Sequence, residues 1–191
     1  MPLLQLDAFK ANLNDIAKPN RFYVQFTGDP VNLNEADYYF VKGAAIPGKS
    51  FGEIELNWMG YKYKIAGDPV FNDINITFYN DIPYPGMTSI REKFINWMNM
   101  ISNDASNIRA SHLSYKCSIV IHQLNSAGMP AQSYTLVNAH PKDMSDIDLN
   151  MDSVDSLEEF TVSFSYSSFS IKNSLASKLL GAGVQVLGRF L

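Results

Sequence analysis

The sequence predicts a mainly β fold, an antiparallel β-sandwich or partly rolled β-barrel with one flanking α-helix. Three observations carry that reading. Short runs of alternating apolar and polar residues recur along the chain, each closed by Gly, Pro, Asn or Asp. Only one stretch, Ser89 to Ser102, combines a helix-start signal with a convincing helical stripe of apolar residues. Within 191 residues no segment has the composition of an interdomain linker, so a single core is expected.

In chain order, Leu3, Leu6, Phe9, Leu13 and Ile16 recur near helical spacing, as a short helix or an irregular arm over residues 1–17. Phe22, Val24 and Phe26 alternate with Tyr23, Gln25 and Thr27 in a first strand, and Gly28-Asp29-Pro30 turns the chain. A second strand is expected from Tyr38 through Val41 toward Ala45-Ile46-Pro47-Gly48. In a third, Ile54, Leu56 and Trp58 face one way and Glu53, Glu55 and Asn57 the other. Met59-Gly60 closes a hairpin onto a fourth, where Tyr61, Tyr63 and Ile65 alternate with Lys62, Lys64 and Ala66 as if one face were buried. Gly67-Asp68-Pro69 then reads as a turn into a fifth strand, with Ile74, Ile76 and Phe78 inward and Asn75, Thr77 and Tyr79 outward.

Pro83 and Pro85 require a loop before the helix, in which Ser89 and Glu92 form a capping box and Ile90, Phe94, Trp97, Met98 and Ile101 share one stripe. Tyr115 to Leu124 reads as a strand, Asn125-Ser126-Ala127-Gly128 as a hairpin connection, and Ser133 to Val137 as the returning strand. Asp146, Asp148, Asn150 and Asp152 alternate with Ile147, Leu149 and Met151, which predicts an acidic face backed by an apolar one. The closing strand, Glu159 to Ser170, buries Phe160, Val162, Phe164 and Tyr166 and exposes Thr161, Ser163, Ser165 and Ser167.

Composition narrows the function classes. Hydrophobic residues make up 46% of the chain and charged residues only 18%, which favours a subunit that hides surface against copies of itself. The net charge is -4, and three of the fifteen basic residues but none of the nineteen acidic ones follow Ile171. An acidic body does not bind nucleic acid by counterion release, which needs clustered Lys and Arg. Cys117 is the single cysteine, so neither an intrachain disulfide nor a cysteine metal cluster is available, and its apolar strand context reads as a small buried hydrophobe. Met1-Pro2-Leu3-Leu4-Gln5 lacks signal-peptide character and no apolar run reaches the roughly 20 residues of a membrane span, so a chain made and kept in solution is expected.

Phosphate loops, dinucleotide fingerprints, nucleophile elbows and metal-spaced histidine pairs are missing from the sequence. The Asp146–Asp152 spacing mimics the start of a calcium loop, but Met151 stands where glycine is required and Leu157 where a bidentate Glu is required. No cofactor, metal or enzymatic activity is expected. Without further clues a binding module, such as a carbohydrate-reading sandwich with exposed Tyr and Trp, is the competing class; it would stay monomeric and hold a glycan or peptide.

A resemblance separates the two classes. Lys64-Ile65-Ala66-Gly67-Asp68, then Phe71 and Asp73, then Asn80-Asp81 resemble the central signature of the tail tube proteins of contractile-tailed phages. Asn20-Arg21-Phe22, Ala45-Ile46-Pro47-Gly48, the helix with Phe94 and Trp97, and Phe160-Thr161-Val162 resemble the same family in the same order. The resemblance implies a tail tube domain over 1–171 whose copies form stacked hexameric rings, with inner sheets joined around a lumen that conducts DNA without specific binding. It further implies sheath subunits and baseplate or tube-end proteins as partners, and a place in the virion tail after assembly in the host cytoplasm. A tube-initiator ring at the baseplate and the tube of a related contractile secretion system remain open alternatives.

On that basis the polar strand faces supply the lumen candidates: Asp146, Asp148, Thr161, Ser163 and Ser165, followed by Asn75 and Thr77. Inter-ring contacts are expected from the hairpin residues Glu53, Glu55, Lys62 and Lys64, the lysines attracting acidic surface of a neighbour. Residues 172–191 carry Leu179 and Leu187 within a leucine stripe and only positive charges, and are expected to form a C-terminal docking extension.

Overall fold

The computed structural model describes residues 17–103 and 108–173. Among them nine strands and two helices follow in the order β1 (Phe22–Thr27), α1 (Glu35–Tyr38), β2 (Val41–Ala44), β3 (Ser50–Trp58), β4 (Tyr61–Val70), β5 (Ile74–Tyr79), α2 (Ile90–Ile101), β6 (Cys117–Leu124), β7 (Pro130–Met144), β8 (Glu159–Ser165) and β9 (Ser168–Asn173). Seven strands form one antiparallel sheet in the order β1-β6-β7-β8-β5-β2, with β9 also paired to β7. β3 and β4 pair only with each other.

Alternation decides the large sheet. Val24 and Phe26 on β1, Ile74, Ile76 and Phe78 on β5, Ile119 and Ile121 on β6, and Phe160, Val162 and Phe164 on β8 all point into one core. The sheet curls around that core: the Phe26 ring of β1 lies 5.7 Å from Phe164 of β8 and 6.5 Å from Phe78 of β5, strands distant from it along the pairing path. The partly rolled form of the expected architecture is therefore present. Helix α2 seals it with Ile90, Phe94 and Trp97, as its stripe predicts. Ser89 caps α2 by accepting from the Glu92 N–H at 3.2 Å, and Asp81 accepts from the Ile90 N–H at 2.8 Å. Trp97 buries its indole and donates Nε1–H to the Tyr115 carbonyl at 2.8 Å, so the core holds no unpaired indole.

β7 is the longest strand, 15 residues, and its two halves have different neighbours. β6 and β9 flank the first half, and β8 pairs with the second. The change falls at Asn138, whose φ of 58° places it in the left-handed region beside a register shift against β6.

Several expectations need correction. Gly67-Asp68-Pro69 does not turn the chain: β4 runs through it to Val70, and the break comes at 71–73. A Cβ on Gly67 would lie 3.1 Å from the Gly52 carbonyl carbon, so this glycine allows two backbones to approach at the β3 bulge. Pro69 is tolerated because the hairpin has only edge strands. Tyr38 lies in a helix, not a strand, because Asp37 accepts from the Asn34 N–H at 2.6 Å and closes a helical turn; one helix was expected and two are present among the described residues. The strand expected over Ser133–Val137 extends to Pro130–Met144. The closing strand is two, β8 and β9, parted at Tyr166-Ser167 where the Ser167 N–H donates to Val137 at 3.0 Å beside the β7 bulge. Residues 145–158 form no strand; their alternation of acidic and apolar residues sits on a loop.

Candidate assembly surfaces

The β3–β4 hairpin turns at Met59 and Gly60, both with positive φ, 47° and 83°, as a tight hairpin turn requires. Its register sets Ile54 opposite Ile65, Leu56 opposite Tyr63 and Trp58 opposite Tyr61. These six side chains form one continuous apolar face. None of them joins the core cluster, and each is between 42% and 80% exposed. The burial expected from their alternation is thus absent among the described residues. On the opposite face Lys64 pairs with Glu53 at 2.5 Å and Lys62 with Glu55 at 3.5 Å. The four charged contact candidates therefore come together, but as two cross-strand ion pairs, so the lysines are not a bare basic patch awaiting an acidic neighbour.

A second surface lies on the outer face of β5 and β8. Thr77 and Thr161 share a hydrogen bond of 3.0 Å, and Ser163 donates to Asn75 Oδ1 at 2.7 Å. Ser165 continues the face along β8. Five of the seven lumen candidates thus occupy one contiguous uncharged wall. Two lysines near it are paired: Lys42 with Glu159 at 2.5 Å and Lys142 with Asp73 at 2.5 Å. Those hydrogen bonds and charges also raise both lysine pKa values. Asp146 and Asp148 lie off this wall on the 145–158 loop, which adjoins it where Ser145 meets Thr161. Asp146 follows Ser145, whose hydroxyl accepts from the Thr161 N–H at 2.9 Å, and Asp148 lines a shallow recess of about 390 Å³ with Leu149, Met151 and Glu158.

That loop exposes Leu149, Met151, Val154 and Leu157, none of which joins the core. The alternation of Asp and apolar residues had marked this stretch, but as a strand whose apolar side would be covered. Leu179 and Leu187 lie outside the described residues.

Sequence reasoning missed the contact that fixes α1. Asp37 is buried and receives Lys93 of α2 at 2.7 and 2.8 Å while also accepting from the Asn34 N–H. The Asn34 to Asp37 spacing was its only signal. Burial pushes the Cys117 thiol pKa far up and lowers those of His122 and His140. No described group of three or more His, Cys, Asp or Glu side chains is arranged to hold a metal ion, and no described helix is long and apolar enough to cross a membrane.

The family model described as phage tail tube protein matches residues 10–172. Tail tube protein gp19 of Enterobacteria phage T4 is 25% identical over 150 residues, covering 78% of this chain and 87% of its own length. The tail tube protein of Serratia phage KSP90 is 27% identical over 123 residues, covering 63% and 66%. Among solved structures, the tube-terminating cap of the anti-feeding prophage superposes with a TM-score of 0.59 at 19% identity, over 85% of this chain and 94% of that one. The sheath–tube complex of an extracellular contractile injection system, in its extended state, does so with a TM-score of 0.58 at 16% identity, over 86% and 97%. The six-fold symmetrised baseplate of the anti-feeding prophage gives 0.59 at 14% identity, over 84% and 98%.

Proposed function

The chain belongs to the phage tail tube protein family and is a structural subunit of a contractile tail tube; from that premise we propose that six copies close into a ring, that rings stack, and that DNA passes through the lumen without specific binding. The observation that carries the reading is the β3–β4 hairpin, whose six apolar side chains are exposed and join no core among the described residues. Fully burying such a side chain gains roughly 1.5–3 kcal/mol. Six of them supply a driving force of the same order as the roughly 4–15 kcal/mol that association costs in lost freedom. A neighbouring copy is the cover that a repeating assembly supplies at every hairpin.

The lumen wall is drawn from Asn75, Thr77, Thr161, Ser163 and Ser165. An uncharged wall with Lys42 and Lys142 paired offers no phosphate contacts and so lets DNA slide. Asp146 and Asp148 add negative charge at the border of that wall, which repels the DNA backbone. Six-fold closure is favoured by the fold shared with the six-fold symmetrised baseplate of the anti-feeding prophage. Sheath subunits outside, baseplate and tube-end proteins at the termini, and a virion tail assembled in the host cytoplasm complete the proposal.

Negative-stain microscopy of the purified chain tests it. Long hollow tubes of six-fold rings support the repeating subunit. Single rings that never stack assign the chain to a tube end, and monomers that bind a glycan sink the tube reading.

A further inference from the structure

Two exposed apolar surfaces sit at opposite ends of the same strands. The β3–β4 hairpin leaves β2 after Ala44, which pairs with Ile76, and rejoins the sheet at Ile74, so its base lies at the Ile74 end of β5. The loop of residues 145–158 sits at the other end. There the Glu158 carbonyl accepts from the Asn80 N–H at 2.9 Å, the Glu158 carboxylate accepts from the Asn80 side-chain amide at 2.8 Å, and Glu159 pairs with Tyr79. Roughly 17 Å of strand, the six residues of β5, lies between the two bases. Leu149, Met151, Val154 and Leu157 of the loop are between 73% and 102% exposed, and the six hairpin side chains stay exposed as well. Neither surface covers the other within the folded chain.

We infer that the 145–158 loop is the docking surface for the tip of the β3–β4 hairpin of a second copy in the adjacent ring. The inference rests on the stacked-tube reading and names the surface that receives the hairpin. A contact between opposite ends of one sheet is head-to-tail, so it repeats from copy to copy along the strands. Sheets joined around a lumen meet at their edges, across the strands, which leaves the strand ends to the neighbouring ring.

Size and chemistry match. Ten side chains at these exposures offer on the order of 1,200 Å² of mainly apolar surface, the size at which specific interfaces begin. The loop also holds Asp146, Asp148, Asp152, Asp155 and Glu158 and no basic residue. Near the hairpin tip Lys62 is held only loosely by Glu55, at 3.5 Å, and its side chain stays 69% exposed, so its charge is open to a loop carboxylate. The recess of about 390 Å³ beside Leu149, Met151 and Glu158 gives the Trp58 ring an entry point.

The test uses full-length chains. Tubes are grown from an equal mixture of Met59→Cys and Met151→Cys chains and then oxidised; Cys117 is buried and takes no part. A disulfide-linked dimer is expected in these tubes, and none in dissociated subunits or in tubes of either variant alone. Tubes of the doubly substituted chain are expected to give a ladder running past six chains, because the link passes from ring to ring. A ladder that stops at six, an internal disulfide alone, or tubes of normal length with no cross-link overturn the inference while leaving the tube reading intact. Failure of the unsubstituted chain to make tubes overturns both. Hydrogen exchange reads the same contact in the unsubstituted chain: amides of residues 57–62 and 147–157 are expected to slow together, by about tenfold or more, when rings stack. Slowing of only one of the two segments, or of neither, also overturns the inference.

Discussion

Lys93 of α2 holds both carboxylate oxygens of Asp37 of α1, at 2.7 and 2.8 Å, with the two side chains only 17% and 11% exposed. The pair fastens the short helix to the long one. Removing one partner strands a charge that water scarcely reaches. Asp37→Ala is expected to lower unfolding free energy by about 3 kcal/mol. Asp37→Ala with Lys93→Met is expected to cost clearly less than Asp37→Ala alone, read from urea denaturation of unassembled subunits.

Phe94 touches Phe26, Phe78, Trp97, Phe160 and Phe164 by ring contacts, so with Phe26 it anchors the aromatic core. Phe94→Ala is expected to cost roughly 3–5 kcal/mol, through lost burial and the cavity left behind. A cost under about 1 kcal/mol in the same denaturation assay would contradict the packing described.

Acid should weaken the subunit through His122 and His140. Burial lowers both pKa values in the folded state. A lowered pKa favours the neutral form, so the unfolded chain takes up protons first as pH falls below about 6.5. Stability from these groups is therefore full above that value and lost as pH drops toward the folded-state pKa values. Melting temperature is expected to fall between pH 7 and pH 5, and His122→Gln with His140→Gln to flatten that part of the profile.

Trp58→Ser with Tyr63→Ser changes exposed positions and should leave subunit stability within about 0.5 kcal/mol. Assembly, in contrast, should be lost, as monitored by sedimentation. Lys62→Glu with Lys64→Glu replaces two ion pairs by four like charges on one hairpin face and is also expected to block tube formation.

Ser163→Lys places an unpaired cation in the uncharged wall of β5 and β8. Particles carrying it should assemble normally but release DNA more slowly, with a delay that shrinks as salt rises, since salt screens and displaces phosphate contacts. Unchanged release would remove Ser163 from the lumen.

The parts of the fold legible in the sequence were those where local pattern and burial agree. Val24 and Phe26, Ile74 to Phe78, Phe160 to Phe164 and the Ser89-capped stripe all read correctly because each alternation faces the chain's own core. Pattern misled where an apolar face does not meet the core of the described residues: Tyr61, Tyr63 and Ile65 have a buried strand's rhythm yet stay exposed. Gly67-Asp68-Pro69 has turn chemistry, yet close approach to Gly52 outweighs it. The Thr77–Thr161 and Ser163–Asn75 contacts were half visible, as outward positions on two strands. That those strands are neighbours is a matter of topology, which period-two spacing does not encode. Around Asp146 and Asp148 the acidic alternation imitates a strand face, yet it lies on a loop.

The single long strand β7 has a mechanical consequence. Tension applied between Gln132 and Met144 runs along one covalent backbone, while the hydrogen bonds to β6, β8 and β9 lie across it. The load is shared by many bonds sheared together, and no single bond at an end is peeled first. Stretching along β7 is therefore resisted within each subunit by its whole ladder at once.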